Sequence, residues 1–170
     1  MRVSRVDVAV LGCLLEAPSH GYDLVAAMRL RGMDRWGAVG RASVYQALPR
    51  LEGSGDVTGR RSEGAEGPDR RVYRATPAGR RRFVEGVTER LQASAPSDPD
   101  AALGLAFLHL LPAAARRAGI EARARALWVV AGTAETDGDP MRARERALAQ
   151  AELDWLRTLE GRRKGVRDRP

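Results

Sequence analysis

Hydrophobic residues recur at helical spacing through the first half of the chain, and this pattern predicts a series of short helices. The first helix begins near Ser4, which makes a capping box with Asp7 three residues later, and ends before Pro18. Its predicted inward stripe consists of Val6, Val10, Leu11, Leu14 and Leu15. A second helix is expected near "SHGYDL", with Ser19 as the N-cap and with Leu24, Val25 and Met28 facing inward.

The third predicted helix lies in "SVYQALPRLEGSGDV", residues 43–57, and has two unlike faces. Its apolar stripe, in which the members lie one turn apart, consists of Val44, Leu48 and Leu51. Its other face is small and polar and carries Ser43, Gln46, Pro49 and Arg50. Pro49 has no N–H to donate to the carbonyl of Tyr45, so we expect the last turn to bend or loosen before Gly55 ends the helix.

Two strand-like runs follow, "DVTGRR" and "RRVYRAT", joined by "SEGAEGPD", whose glycines and proline predict a long turn. Thr76 and Pro77 then predict a helix start, with an N-cap followed by proline at the first helical position, and this fourth helix runs to about Gln92. Three short helices, a two-stranded hairpin and a fourth helix are the element order of a winged helix-turn-helix. In that fold the third helix lies in the major groove of DNA.

The second half of the chain is predicted to be helical as well. "ASAPSDPDA", residues 93–101, predicts a linker or helix boundary after a DNA-binding domain over residues 1–92. A helical region over residues 102–160 follows. It is interrupted at Pro112, and one of its helices ends near Gly132. A basic tail occupies residues 161–170. The last helix, Met141 to Glu160, is expected to present Leu148, Ala151, Trp155 and Leu159 along one side. The fold class is therefore mostly α.

The charge of the chain favours an anionic partner such as nucleic acid. There are 29 lysines and arginines against 22 acidic residues, and between Thr58 and Arg82 eight arginines stand against three acids. Arg60, Arg61, Arg70 and Arg71 flank the predicted turn, where a wing would meet phosphate or the minor groove. Charge alone is equally compatible with a solvated hairpin, and the helix order that precedes the hairpin favours the nucleic-acid interpretation.

Three segments of the sequence resemble the PadR family of bacterial transcriptional regulators. They are "VLGCLLEAPSHGYDL", "SVYQALPRLEGSGDV" and "RRVYRATPAGRRRF", which occur in the order and spacing of the family and together span roughly Val6 to Arg90. The resemblance implies that Tyr22 and Tyr45 contact the DNA backbone through their hydroxyls; from the residues alone, both could instead pack in the core with a wet hydroxyl. The family often has Leu-Tyr-Pro in place of Val44-Tyr45-Gln46, so the operator sequence does not carry over.

The predicted DNA-contacting set joins the third helix and the hairpin to the N-terminus of the second helix. It comprises Tyr22, Arg41, Ser43, Tyr45, Gln46, Arg50, Arg60, Arg61, Arg70 and Arg71. A second set is expected to form a dimer interface or an effector pocket, because three short helices cannot bury so much apolar surface among themselves. It comprises Phe107, Leu111, Trp128, Leu148, Trp155 and Leu159. "AELDWLRTLE" also resembles the helical C-terminal region of one PadR subfamily, which dimerises and can hold small molecules.

Other chemistry is poorly represented in the sequence. The single cysteine, Cys13, and the separated histidines His20 and His109 predict no metal site, and we expect no cofactor. No phosphate-binding glycine loop or paired nucleophile and base indicates an enzyme. No apolar run is long enough to span a membrane. We therefore expect a cytoplasmic homodimeric repressor of an inverted-repeat operator, released by a small aromatic effector. The alternative is an architectural nucleic-acid-binding protein without an effector.

Overall fold

The computed structural model describes residues 3–37, 39–61, 71–93, 95–132 and 139–161. In the first half, helix α1 spans Arg5–Glu16, strand β1 Ser19–His20, helix α2 Gly21–Leu30 and helix α3 Arg41–Gly53. Strands β2, Val57–Arg61, and β3, Arg71–Ala75, lead to helix α4, Pro77–Arg90. In the second half, α5 spans Pro99–Ala106, a 3-10 turn spans Leu108–Leu110, and the two long helices are α6, Ala113–Ala131, and α7, Pro140–Gly161.

Helix α1 lies at the centre of the first half, in contact with α2, α3, α4, α5 and β3. Its N-cap is the predicted one, since the Ser4 hydroxyl accepts a hydrogen bond from the backbone N–H of Asp7 at 3.1 Å. All residues from Asp7 to Leu14 are buried, which is a wider apolar surface than the predicted stripe. Helices pack on several sides of α1, so no face of its central turns meets water.

The start of α2 differs from the prediction. Ser19 is not the N-cap; it pairs with Tyr73 in a short antiparallel contact between β1 and β3, and His20 pairs with Val72. His20 occupies the N-cap position without a side-chain cap hydrogen bond. The sheet order is β1-β3-β2. A two-residue strand has no periodicity of its own and forms only because β3 lies beside it, so the sequence pattern could not indicate it.

The hairpin and the start of α4 are confirmed. Strands β2 and β3 pair antiparallel with Val57 opposite Ala75 and Arg61 opposite Arg71. The Thr76 hydroxyl caps α4 by accepting from the N–H of Gly79 at 3.1 Å. Gly79 lies so close to the backbone of Asp56 that a Cβ there would fall 2.1 Å from its carbonyl oxygen. The glycine therefore lets α4 begin directly against the end of the α3–β2 connection.

The residues after α4 first extend the core of the first half. Phe107 is fully buried, and its ring meets that of Phe83 edge-on with the centroids 5.8 Å apart. Gly12 makes room for it, because a Cβ at Gly12 would lie 2.6 Å from the Phe107 ring. Leu111 is buried in the same cluster. The assignment of Phe107 and Leu111 to a dimer interface or effector pocket is therefore wrong: both side chains are used inside the chain's own core.

Helices α6 and α7 pack against each other and form the C-terminal helix pair, with a small second core. The break at Pro112 and the end of α6 at Gly132 are confirmed. The buried face of α7 consists of Ala149, Leu153 and Leu156 rather than the predicted side. Of the predicted residues, Leu148 and Leu159 are half-buried, while Ala151 and Trp155 are exposed. None of the helices in the described ranges is long and apolar enough to cross a membrane.

Candidate nucleic-acid interface

Helix α3 has the two faces that the sequence predicts. Val44, Ala47, Leu48 and Leu51 are buried against the core of the first half. Arg41 and Gln46 are exposed on the other face, together with Ala42 and Pro49, whereas Ser43 is half-buried. The helix continues through Pro49 and ends at Gly53, and Gly55 then adopts a φ of 76°, a left-handed conformation that suits glycine. The exposed side of α3 is thus a short polar strip with one amide, that of Gln46, and two cations, Arg41 and Arg50.

The N-termini of α2 and α3 lie together at one edge of this strip. The Arg41 guanidinium lies 5.7 Å from the centroid of the Tyr45 ring, and Tyr45 approaches Gly21, where a Cβ would be 3.3 Å from its Cε1. Tyr22 is 66% exposed and therefore is not a core residue, while Tyr45 is half-buried between the two helices. Tyr22, Arg41 and Tyr45 thus form a cation and two phenols at the helix N-termini, groups that suit phosphate oxygens.

Arg50 has a different partner from the one expected. Its guanidinium donates two hydrogen bonds to the carboxylate of Asp7 on α1, with N–O distances of 2.5 and 3.0 Å. Arg82 on α4 donates to the same carboxylate at 3.3 Å. Arg82 also donates to Asp56 at 3.1 Å. These four residues, Asp7, Arg50, Asp56 and Arg82, form the helix-anchoring network, which joins α1, α3 and α4. A buried carboxylate on α1 thus holds the guanidinium of Arg50, although 49% of the side chain remains exposed, and its contact with DNA stays a prediction.

The charge of Asp7 follows from this network. Its side chain is only 1% exposed. Burial opposes ionisation, but hydrogen bonds from Arg50 and Ser4 and the charges of Arg50 and Arg82 outweigh it, so the pKa of Asp7 is lowered from its ordinary value. An ionised Asp7 therefore holds the C-terminal half of α3 to the centre of the domain.

Alternation along the hairpin divides its arginines between two faces. Arg60 and Arg74 are exposed and line, with Thr58 and Val72, a shallow groove of about 300 Å³. Arg61 is also exposed but lies at the register position opposite Arg71, on the other face. Arg74 is not in the predicted contact set. It lies two residues after Val72, which pairs with Arg60, so alternation along the strand places Arg74 on the same face as Arg60. Arg70 falls outside the described residues.

Arg71 braces the hairpin against α3. Its guanidinium contacts the carboxylate of Glu52 at 2.5 Å, donates to the carbonyl of Gly59 at 2.9 Å and lies 5.9 Å from the centroid of the Tyr73 ring. Glu52 also accepts from the N–H of Gly59 at 3.1 Å. Arg71 is therefore engaged inside the chain, and the arginines of the hairpin that point freely to solvent in the described residues are Arg60, Arg61 and Arg74.

The second predicted set separates into different environments. Trp128 is 55% exposed, with the Arg157 guanidinium 6.0 Å from the centroid of its indole. Trp155 and Leu159 instead line a cavity of about 510 Å³ between the 3-10 turn, α6 and α7. Ile120 adds to its apolar wall, Arg116 and Arg117 add positive charge, and Glu121 adds one negative charge. In the described part of the chain, no group of three His, Cys, Asp or Glu side chains is placed to hold a metal ion.

A helix with a polar outer face that packs against α1 and α2, with a basic hairpin beside it, is the arrangement of a winged helix-turn-helix. Residues 10–85 match the model of the family described as "Transcriptional regulator PadR-like family", which confirms the resemblance seen in the sequence. This match covers less than half of the chain, and it shows that residues 10–85 are similar to PadR-like transcriptional regulators. No curated protein compared with the chain is similar enough to count as a match.

A solved structure, Bacillus subtilis PadR in complex with operator DNA, is similar to the chain with a TM-score of 0.45 and 16% sequence identity. The similarity covers 94% of this chain and 97% of that chain.

Proposed function

We propose that the protein is a homodimeric repressor that binds an inverted-repeat operator and is released by a small aromatic effector. The observation that carries the DNA-binding part is the exposed strip of α3, where Gln46 is free to pair with a base edge. Gln pairs in a bidentate manner with adenine in the major groove. Arg41 at the start of the strip and Arg60 and Arg74 on the hairpin supply positive charge for the flanking phosphates.

The exposed apolar side chains of the C-terminal helix pair support the dimer. Trp128 is 55% exposed, Val129 71% and Trp155 44%. Aromatic residues of this size are enriched in interfaces, and solvated tryptophans are uncommon on monomers. We expect a second copy to cover Trp128 and Val129, which places two α3 helices on two half-sites of one operator.

The cavity beside Trp155 is the candidate effector site. Its volume of about 510 Å³ is in the range of small-molecule pockets. Its apolar wall of Ile120, Trp155 and Leu159 suits a flat ring. Arg116 and Arg117 outnumber the one lining carboxylate, Glu121, and so favour an effector that also carries a negative charge. Since the cavity lies between the 3-10 turn, α6 and α7, a bound ring would contact elements that also touch the DNA-binding half. A repressor of this kind would act in the cytoplasm, on the chromosome.

The alternative is that the protein is an architectural DNA-binding protein. The free arginines of the hairpin would bind phosphate in that case as well. The two functions differ in specificity. A repressor favours its operator over random duplex by about 10³-fold or more, and an architectural protein does not. Selection of bound duplexes from a random library, followed by fluorescence anisotropy on the selected and a scrambled duplex, separates them. Equal affinity for both duplexes would refute the repressor.

The effector part has its own test. Flat aromatic acids titrated into the protein should quench the tryptophan fluorescence and weaken operator binding over the same concentration range. A compound shifts the DNA equilibrium only by its differential affinity for free and DNA-bound protein. Quenching without any change in operator affinity, across the compounds that bind, would therefore remove effector sensing from the proposal.

A further inference from the structure

Arg123 on α6 is a fully buried arginine far from the proposed DNA contacts. Its side chain is 0% exposed. Its guanidinium donates two hydrogen bonds to the two carboxylate oxygens of Glu152 on α7, with N–O distances of 2.7 and 2.8 Å. The same guanidinium donates to two backbone carbonyls, those of Ala93 and Ala95, the latter at 3.2 Å. A buried guanidinium is tolerated only when its charge and its donors are satisfied, and here one carboxylate and two carbonyls satisfy them.

The two carbonyls belong to the segment that connects the two halves of the chain. This connector, residues 91–98, lies between the end of α4 and the N-cap of α5. It contains Ser97, whose φ of 68° is in the left-handed region that non-glycine residues rarely adopt. Such a conformation persists where surrounding contacts determine it. Arg123 supplies contacts of this kind from the C-terminal helix pair.

Few apolar side chains connect the core of the first half with the core of the C-terminal helix pair. The first core extends through Leu103 and Phe107, and the second core of the helix pair is separate from it. Only three partly buried side chains among the described residues pack against both cores, namely Leu105, Ile120 and Leu159. Gly119 of α6 also lies against Leu91, where a Cβ would be 2.5 Å from its Cδ1, so the polar contacts of Arg123 add to a small apolar contact between the helix pair and the first core.

The other end of the connector is fastened to the DNA-binding half. Arg90, the last residue of α4, is buried and donates to the carbonyls of Gly86 and Val3 at 2.9 and 2.8 Å. Asp100 at the start of α5 pairs with Arg5 of α1 at 2.9 Å and with Arg90 at 3.3 Å. Both ends of the connector are therefore fastened to the first half, through Arg90 and Asp100, and Arg123 joins the middle of the connector to the helix pair.

We infer that Arg123 is a positioning residue that sets the distance between operator half-sites which the dimer accepts. The inference rests on the proposed dimer, in which the helix pair forms the interface. If α6 and α7 are fixed to the partner, the angle between this helix pair and the winged helix determines how far apart the two α3 helices lie. One base pair of added spacing moves a half-site by about 3.4 Å and turns it by about 35° around the DNA axis. A dimer with a rigid connector would lose contact with one of the two half-sites when the spacing changes. A dimer with a more mobile connector would keep contact with both half-sites.

The test compares operator spacing preference in four full-length proteins. They are the parent, Arg123→Met, the double variant Arg123→Met with Glu152→Met, and the control Arg125→Met, which removes an exposed arginine from the same helix. The double variant leaves no unpaired carboxylate, so it keeps the test valid if the single variant fails to fold. Each protein is used to select from a duplex library in which two half-sites are separated by a variable number of base pairs.

We expect the parent and Arg125→Met to select one spacing over its neighbours by about tenfold or more, since a misplaced half-site loses its base contacts. The Arg123 variants should select several spacings at comparable frequency while keeping the same half-site sequence. A merely structural role would lower affinity at all spacings alike. If the folded variants select the parent's single spacing, the inference is overturned and the proposed function stands. If the parent selects no paired half-sites, the dimeric repressor fails and the inference fails with it.

Discussion

Replacement of Asp7 by asparagine tests the helix-anchoring network most directly. Asp7 is 1% exposed and carries the ion pairs with Arg50 and Arg82. Removal of one partner from a buried ion pair costs about 3–5 kcal/mol. The two guanidiniums keep 49% and 25% of their side chains in solvent, so water replaces part of what they lose. The asparagine also keeps one oxygen acceptor. We therefore expect Asp7→Asn to lower the free energy of unfolding by about 2–3 kcal/mol at pH 7.

The pH dependence of this loss has a definite sign. The pKa of Asp7 lies below its ordinary value of 3.8 in the folded protein, so its carboxylate stabilises the fold fully at pH values well above 3.8. That contribution disappears as the pH falls through the lowered pKa. Urea unfolding followed by circular dichroism from pH 7 to pH 3 should show the difference between parent and Asp7→Asn shrinking at the acid end. Glu85→Gln, an exposed site on α4, is the control and should cost under about 0.5 kcal/mol. A pH-independent difference, or one no larger than the control's, would refute the reasoning.

The partner substitution separates anchoring from base reading. If Arg50 anchors α3 to Asp7, Arg50→Gln should lower stability and weaken binding to operator and scrambled duplex by similar factors. If Arg50 instead reads a guanine, the loss should be about 1–3 kcal/mol at one base position and should vanish when that base is changed. Anisotropy titrations on single-base operator variants distinguish the two outcomes, and a base-dependent loss would contradict the anchoring role.

The remaining predictions concern the DNA contacts and the core. Gln46→Ala should cost about 1–3 kcal/mol on the selected operator and much less on scrambled duplex, and an equal loss on both would show that Gln46 is not a reader. The double change Arg60→Ala, Arg74→Ala should weaken both duplexes alike and reduce the slope of log affinity against log salt by about 2; an unchanged slope would remove the hairpin from the interface. A chain ended at Gln92 lacks Phe107, whose loss alone is expected to cost about 3–5 kcal/mol, so it should be much less stable than a chain ended just before α6. The longer piece should fold as a monomer in size measurements, and a stable dimer would place the interface outside the C-terminal helix pair.

The order of helices and strands in the first half was predictable because its signals are local. The cap at Ser4, the Thr76-Pro77 start and the apolar stripe of α3 act within one or two turns of chain. The exposed position of Gln46 follows from the same stripe, since helical spacing places it opposite Val44 and Leu48. The family model over residues 10–85 agrees with this part of the prediction.

The features that the sequence did not indicate depend on contacts between residues that are distant in sequence. Arg50 lies on the polar side of its own helix, and only the approach of α1 brings Asp7 within reach. Phe107 follows an apolar run typical of an interface, but the missing Cβ of Gly12 opens a place for it in the first core.

The sequence by itself determined which segments become helices or strands and where positive charge accumulates, because backbone propensity, capping and hydrophobic period are properties of neighbouring residues. Only the tertiary structure decided which polar groups remain free for a partner. Arg50, Arg71 and Arg123 are equivalent in the sequence to Arg60 and Arg74, yet the first three are bound by carboxylates that packing brings to them. A buried or half-buried carboxylate attracts the nearest guanidinium, and which guanidinium is nearest depends on how the helices pack.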